Sequence, residues 1–186
     1  MSAAAPVRLL PLACIKCKTP VPARPDELAW VCGVCGQGLL LNEAQRPNEG
    51  ALRALDIFFS KAIPQGQRGY PFWVTRGQVT IATRQTYSGD EGKAAREFWA
   101  APRLFYVPAW DLPLEDVVKA GVNLLREPRR MEPGSPTAFR PVVTPPADAR
   151  PLAEFMIYSI EADRRDAMKL LNFDLKLEPP QLWVFG

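Results

Sequence analysis

The four cysteines constrain the fold more than any other feature, because all of them lie within the first 35 of the 186 residues. They form two Cys-x-x-Cys pairs, Cys14 with Cys17 and Cys32 with Cys35, separated by fourteen residues. Each pair places two sulfurs on one tight turn, and two turns that face each other can surround a metal ion at about 2.3 Å per bond. The spacing therefore predicts a metal site with four thiolate ligands.

The residues around the pairs predict short strands and tight turns. Trp30 and Val31 lead into the second turn and residues 39–41 leave it, which is typical of a β-hairpin. Gly36 follows the second pair, where a positive φ is expected, whereas Lys18 occupies the equivalent place after the first pair. The link between the turns contains three prolines and should be extended.

Over residues 14–41 this pattern resembles the zinc-ribbon family, in which two Cys-x-x-Cys knuckles on adjacent β-hairpins hold one structural zinc ion. The resemblance implies that the zinc ligands are Cys14, Cys17, Cys32 and Cys35. Four thiolates close the coordination sphere and leave no position for water, so the ion is expected to stabilise the fold and to catalyse nothing. Its binding would supply folding energy that so short a segment cannot obtain from its own core.

Three other uses of the cysteines are open at this point. An iron centre of the rubredoxin type would use the same four ligands. A thioredoxin-like redox pair needs only one Cys-x-x-Cys, and it needs a βαβ setting that the pattern lacks. Two disulfides would require an oxidising compartment. We therefore expect structural zinc, with iron as the alternative metal.

The composition argues against an enzyme. The chain has no histidine, which excludes Ser-His-Asp and Cys-His nucleophile systems, histidine bases and histidine-ligated metals. It also has no glycine-rich phosphate-binding motif and no Gly-x-Ser-x-Gly. Its adjacent carboxylates, Asp90 with Glu91 and Glu115 with Asp116, are typical of loops and helix caps. We expect a protein without catalytic activity.

Charge and hydropathy predict a cytoplasmic protein. Lys and Arg number 23 against 20 Asp and Glu, so the excess is too small for a nucleic-acid-binding footprint. The apolar runs are far shorter than the roughly 20 residues that span a bilayer, and residues 1–12 do not resemble a signal peptide. The densest charged cluster, over residues 161–166, has both signs and should be solvated.

The predicted fold class is α+β, with a zinc ribbon of β-hairpins followed by a mixed domain. The expected division is a ribbon with an N-terminal extension over residues 1–41, a linker over 42–50 and an α+β domain over 51–186. In that domain we expect a hairpin over residues 70–83 that turns at Arg76 and Gly77. A helix should begin near Asp111 and end before Pro128, and a longer one should cover residues 146–171.

The aromatic residues of this domain allow two interpretations. In the first they form the core, because aromatic residues are frequent in strands. In the second some of them, especially Trp73, Trp99 and Trp110, line an exposed contact patch. The layout of a ribbon before an aromatic-rich part resembles uncharacterised bacterial zinc-ribbon proteins, and this implies no activity.

Two functions follow from these expectations. The first is a zinc-binding protein that acts as an interaction or scaffold subunit of a larger protein assembly. The alternative is a nucleic-acid-binding zinc ribbon associated with transcription or replication, in which Trp30 stacks on a base. Its cations would be Arg8, Lys16, Lys18 and Arg24. The sequence does not predict an oligomeric state.

Overall fold

The computed structural model describes residues 12–41, 51–61, 63–64 and 66–186. The chain divides into two units, Met1–Asp56 and Ile57–Gly186. Within the described residues, a small sheet in the first unit is followed by a larger sheet and three α-helices in the second, which confirms the α+β prediction. The predicted extension before residue 12 and the predicted linker over 42–50 lie outside the described residues.

The first unit contains an antiparallel sheet of three strands in the order β1-β2-β3. Strands β1 (Ala29–Val31) and β2 (Gly38–Leu41) form the hairpin that the sequence predicts around the second cysteine pair. Strand β3 (Leu52–Ala54) pairs with β2, so residues just after the expected linker complete this sheet. The buried cluster is small and includes two of the cysteines: it consists of Cys14, Trp30, Cys32, Leu39 and Leu52.

The second unit is built on a mixed sheet in which β4, β8, β5 and β6 are neighbours in that order and β7 also pairs with β5. Strands β4 and β8 are parallel, and the other pairs are antiparallel. The strand bounds are β4 (Ile57–Phe59), β5 (Tyr70–Ser88), β6 (Arg103–Pro108), β7 (Ala167–Leu177) and β8 (Gln181–Phe185).

The predicted turn at Arg76 and Gly77 is wrong, because β5 continues through both residues for 19 residues in all. Gly77 pairs with Arg103 of β6 on one side and with Leu177 of β7 on the other. A β-carbon at Gly77 would lie 2.6 Å from the Leu177 side chain and 2.7 Å from that of Phe105. This glycine therefore provides space for close packing within a long strand.

Helices α1 (Gly92–Trp99), α2 (Leu114–Arg126) and α3 (Ala149–Ala162) belong to the second unit. Helix α2 confirms the predicted helix before Pro128, although it begins at Leu114 and not near Asp111. The helix predicted over 146–171 is too long, because α3 ends at Ala162 and residues 167–171 belong to β7. No helix in the described part of the chain has the length and apolar character needed to cross a membrane.

Most of the aromatic side chains of the second unit are buried or partly buried. Trp73 is fully buried and Trp99 is 2% exposed, so the hypothesis that they line an exposed patch is wrong. Trp110 is partly buried and packs edge-on against Phe72. One buried cluster of the sheet is largely aromatic: it consists of Phe72, Val74, Tyr106, Trp183 and Phe185.

The expectation of a solvated charge cluster over residues 161–166 is wrong for its two end members, Glu161 and Asp166, whereas Asp163 and Arg165 are exposed as expected. The side chains of Glu161 and Asp166 are 0% and 1% exposed, because both carboxylates pair with Arg84 of β5. Arg84 Nε donates to Glu161 Oε2 at 2.9 Å, and its Nη2 donates to Asp166 Oδ1 at 2.6 Å. Arg164 and the Trp99 indole, at 2.8 Å each, also donate to Glu161. Every charge in this network has a partner.

The network keeps Asp166 ionised. The hydrogen bonds from Arg84, together with one from the backbone N–H of Glu91 at 2.9 Å, lower the pKa of Asp166 to about 2, against the opposing effect of burial. The hydrogen bonds that Arg84 donates to Asp166 and Glu161 in turn raise its own pKa. The network joins β5, the end of α3 and the start of β7.

Candidate metal centre

The two cysteine pairs form turns with the same backbone hydrogen bonds. The N–H of Lys18 donates to the carbonyl of Cys14, and the N–H of Gly36 donates to that of Cys32, both at 2.9 Å. A second bond closes each loop, from the N–H of the first cysteine to the carbonyl five residues later: Cys14 to Thr19 at 2.9 Å and Cys32 to Gln37 at 2.8 Å. The chain thus contains two matched knuckles, each with its pair of sulfurs on one turn.

Lys18 adopts the same left-handed backbone as Gly36, with φ of 62° against 72°. Its side chain donates to the carbonyl of Ile15 at 3.1 Å, which braces the first turn. In the sequence, Lys18 stands where the second knuckle has glycine, but the turn that it ends has the same backbone geometry as the second turn. This conformation is about 1–2 kcal/mol less favourable for a residue with a β-carbon.

We therefore expect Lys18→Gly to stabilise the first knuckle. The strain energy that glycine relieves is larger than the stability lost because glycine has more conformational entropy in the unfolded chain. The free energy of unfolding should therefore rise by about 0.5–1 kcal/mol. Amide exchange over residues 12–41 of the metal-loaded chain should slow by about two- to fivefold. Lys16→Gly is the matched control, because Lys16 has no positive φ and glycine there adds only entropy. Equal effects of the two changes would contradict this interpretation.

The four sulfurs converge on one point. Cys14 Sγ lies 3.6 Å from Cys35 Sγ, and Cys17 Sγ lies 3.5 Å from Cys32 Sγ. Potential ligand atoms of all four residues lie within 4.8 Å of one another. A tetrahedral ion with bonds of about 2.3 Å separates its sulfurs by about 3.8 Å, whereas a disulfide holds them at about 2.05 Å. The four cysteines can thus hold one metal ion.

Each short sulfur distance joins the first knuckle to the second. An ion at this site would therefore cross-link two turns that are distant in sequence. Four thiolates are soft donors of the kind that zinc and iron accept. Among the described residues, this is the one group of cysteine and carboxylate side chains arranged to hold an ion.

The local hydrogen bonds favour the thiolate form at two of the cysteines. The Thr19 hydroxyl lies 3.2 Å from Cys17 Sγ and, with the Thr19 backbone, lowers the pKa of Cys17 to about 6. The backbone N–H of Cys17 lowers the pKa of Cys14. At Cys35 the backbone N–H of Gln37 favours the thiolate, but burial and the three neighbouring thiols outweigh it and raise the pKa to about 11.

Sequence reasoning missed Thr19, which touches a ligand without being one. The sequence feature that could have indicated its role is its position two residues after Cys17, from which a hydroxyl can contact the sulfur. Groups that hydrogen-bond to metal ligands fix their orientation and tune their charge. Thr19 therefore supports the Cys17 thiolate.

Trp30 packs against the cysteines and is 6% exposed. A ring with so little exposed surface is not available to stack on a base, so the structure contradicts that role. Its indole N–H has no hydrogen-bond partner among the residues that the structure describes. Trp30 thus contributes apolar packing beside the sulfurs.

Each knuckle exposes one large apolar side chain. Ile15, between Cys14 and Cys17, is 38% exposed, and Val34, between Cys32 and Cys35, is 71% exposed. They are the two exposed large hydrophobic residues in the described part of Met1–Asp56. We call this pair the knuckle tips.

The resemblance to zinc ribbons rests on the four cysteines, the matched turns and the hairpin. A comparison of the chain with protein-family models, with curated proteins and with solved structures finds no match in any of the three.

Proposed function

We propose that the chain is a zinc-binding protein that acts as an interaction or scaffold subunit of a larger assembly. In this proposal Cys14, Cys17, Cys32 and Cys35 bind one zinc ion, and the first unit presents the knuckle tips to a protein partner. The observation that carries the proposal is the convergence of the sulfurs of two separate knuckles beside two exposed apolar side chains.

Zinc is the favoured ion because a closed set of four thiolates is a typical structural zinc site. When bound, the ion would hold the two knuckles together, and with four protein ligands it would have no open position for a substrate. Iron bound by the same sulfurs would give a red protein, so elemental analysis and colour separate the two metals.

The knuckle tips suit docking because their positions would be fixed by the ion. Ile15 and Val34 each lie between two ligands of the same knuckle, so binding a partner would cost little additional ordering. Exposed apolar groups on a rigid element are typical anchors of protein interfaces. The described charges of the first unit do not favour a polyanion, since they are nearly balanced: the cations are Lys16, Lys18, Arg24 and Arg53, and the anions are Asp26, Glu27 and Asp56.

The test is affinity purification of the full chain from its native host after nuclease treatment. The double variant Ile15→Ser with Val34→Ser should lose the partner proteins that the unchanged chain recovers, while it keeps one zinc per chain. Tyr87→Ser is the matched control, because Tyr87 is 75% exposed and belongs to the second unit. This control should recover the same partners.

Two outcomes would contradict the proposal. The first is recovery of the same proteins by the double variant. The second is recovery of nucleic acid alone before nuclease treatment, with an affinity that falls steeply with salt, which would support the nucleic-acid-binding alternative.

A further inference from the structure

The sulfurs of the candidate metal centre contact one another in two pairs, and each pair joins the two knuckles. Cys17 Sγ lies 3.5 Å from Cys32 Sγ, and Cys14 Sγ lies 3.6 Å from Cys35 Sγ. A disulfide holds its two sulfurs at about 2.05 Å. Each pair therefore has to close by only about 1.5 Å to form a covalent bond between the knuckles.

Each pair combines one accessible cysteine with one buried cysteine. Cys17 and Cys35 are partly exposed, whereas their partners, Cys32 and Cys14, are buried. Oxidants attack accessible cysteines first, and a second thiol that lies beside the oxidised sulfur converts it into a disulfide. Each pair thus offers an entry point for an oxidant and a neighbouring sulfur that can resolve the oxidised form.

We propose that the metal centre is a peroxide-sensitive switch, in which two disulfides between the knuckles replace the zinc ion. The disulfides are Cys17 with Cys32 and Cys14 with Cys35, the two pairs whose sulfurs are in contact. Thiols of the cell would reduce these bonds again by exchange, so the switch is reversible. The inference rests on the zinc-binding part of the proposed function and does not depend on the knuckle tips.

The reaction balances with hydrogen peroxide as the oxidant. The Cys17 thiolate attacks one peroxide oxygen, so that an S–O bond forms, the O–O bond breaks and hydroxide leaves. The Cys32 thiolate then attacks the Cys17 sulfur, so that the S–S bond forms, the S–O bond breaks and a second hydroxide leaves. A second peroxide oxidises Cys35 and Cys14 in the same way. Four thiolates thus lose four electrons to two peroxides, and the zinc ion leaves with its oxidation state unchanged.

The two disulfides would take over the cross-linking role of the ion. They join residues that are 15 and 21 positions apart, and closure of such loops restricts the unfolded chain. Cys14 and Cys32 also belong to the buried cluster of the first unit, so each bond has one end in that cluster. Disulfides within the knuckles would leave the two turns unlinked. We therefore expect the oxidised, zinc-free chain to keep the fold of its first unit.

The test is treatment of the full, reduced, zinc-loaded chain with hydrogen peroxide. One zinc ion should be released for every two peroxide molecules consumed, and mass spectrometry should find the two disulfides between the knuckles. Trypsin cleaves after Lys16 and elastase cleaves after Val34, so digestion places each cysteine in its own peptide. Amide exchange over residues 12–41 should stay within about threefold of the zinc-loaded rate, whereas chelation of zinc from the reduced chain should raise it about 100-fold or more. A thiol reductant with zinc should restore the original zinc content.

Two double variants compare a bond between the knuckles with a bond inside one knuckle. Cys14→Ser with Cys35→Ser keeps Cys17 and Cys32, whose sulfurs are in contact. Cys32→Ser with Cys35→Ser is the matched control, because it also keeps two cysteines but leaves both in the first knuckle. After oxidation, amide exchange over residues 12–41 should be about tenfold slower in the first variant than in the control.

Four results would overturn the inference: zinc that stays bound under prolonged peroxide treatment, disulfides within the knuckles, sulfinic acids in place of disulfides, and equal exchange in the two oxidised double variants. The zinc content before peroxide is added tests the proposed function by itself. A chain without zinc at that stage would contradict both proposals, whereas a zinc-loaded chain that gives any of the four results would contradict the switch alone.

Discussion

Replacement of Cys32 with serine should remove stoichiometric zinc from the chain and unfold the described part of its first unit. A structural zinc ion contributes about 10–16 kcal/mol of apparent binding free energy in small domains, and a serine hydroxyl is a poor substitute for a thiolate. The buried cluster of the unit is small and includes Cys32 itself, so packing cannot compensate. Zinc per chain by elemental analysis and amide exchange over residues 12–41 would measure the effect.

Val34→Ser is the matched control for this change. It introduces the same residue into the same turn at a side chain that is 71% exposed, and it keeps all four sulfurs. The control should retain one zinc and slow amide exchange, and chelation of zinc from the unchanged chain should reproduce the Cys32→Ser phenotype. Full zinc content and unchanged exchange in Cys32→Ser would contradict the account.

Arg84→Met should destabilise the second unit by about 3–5 kcal/mol, because removal of one partner leaves buried charge uncompensated. Glu161 and Asp166 would lose their main cation in a site where their side chains are 0% and 1% exposed. Methionine keeps much of the length of the arginine stem and removes the charge. Urea unfolding followed by tryptophan fluorescence would measure the loss, since Trp99 donates to Glu161.

Arg126→Met provides the comparison with an exposed ion pair. Arg126 and Asp163 are 45% and 68% exposed at their side chains, and such pairs contribute less than about 1 kcal/mol. The free energy of unfolding should therefore change little. If Arg84→Met cost no more than Arg126→Met, the buried network would not have the structural role that its geometry indicates.

The candidate metal site was predictable because its determinants are local. Each Cys-x-x-Cys turn positions its own two sulfurs, and the hairpin of β1 and β2 holds the second turn. The support from Thr19 and the left-handed backbone of Lys18 were not predicted. A positive φ at a residue with a β-carbon is rare, and nothing in the identity of lysine signals it.

Glu161 and Asp166, the two ends of the charged cluster at the end of α3, were misjudged because their partner is distant in sequence. Alternation of charge over residues 161–166 is typical of a solvated helix face, but Arg84 lies 77 residues before Glu161 and brings it into the core. Ala167 and Leu171 made the predicted helix over residues 146–171 too long because their spacing is ambiguous. Residues four apart share a face in both a helix and a strand, so their spacing does not distinguish the two.

The long strand β5 shows how pairing overrides a local turn signal. Arg76 and Gly77 are typical of a turn between two alternating segments. In the structure, β6 and β7 pair with the two sides of β5 at Gly77, and the absence of a side chain admits Phe105 and Leu177. Packing by residues far along the chain decides the conformation here.

The most direct test of the account is elemental analysis of the full chain purified under reducing conditions, combined with alkylation of its cysteines. We expect one zinc ion per chain and four cysteines that react only after a chelator removes the ion. A chain without stoichiometric metal, whose four cysteines react at once, would contradict it.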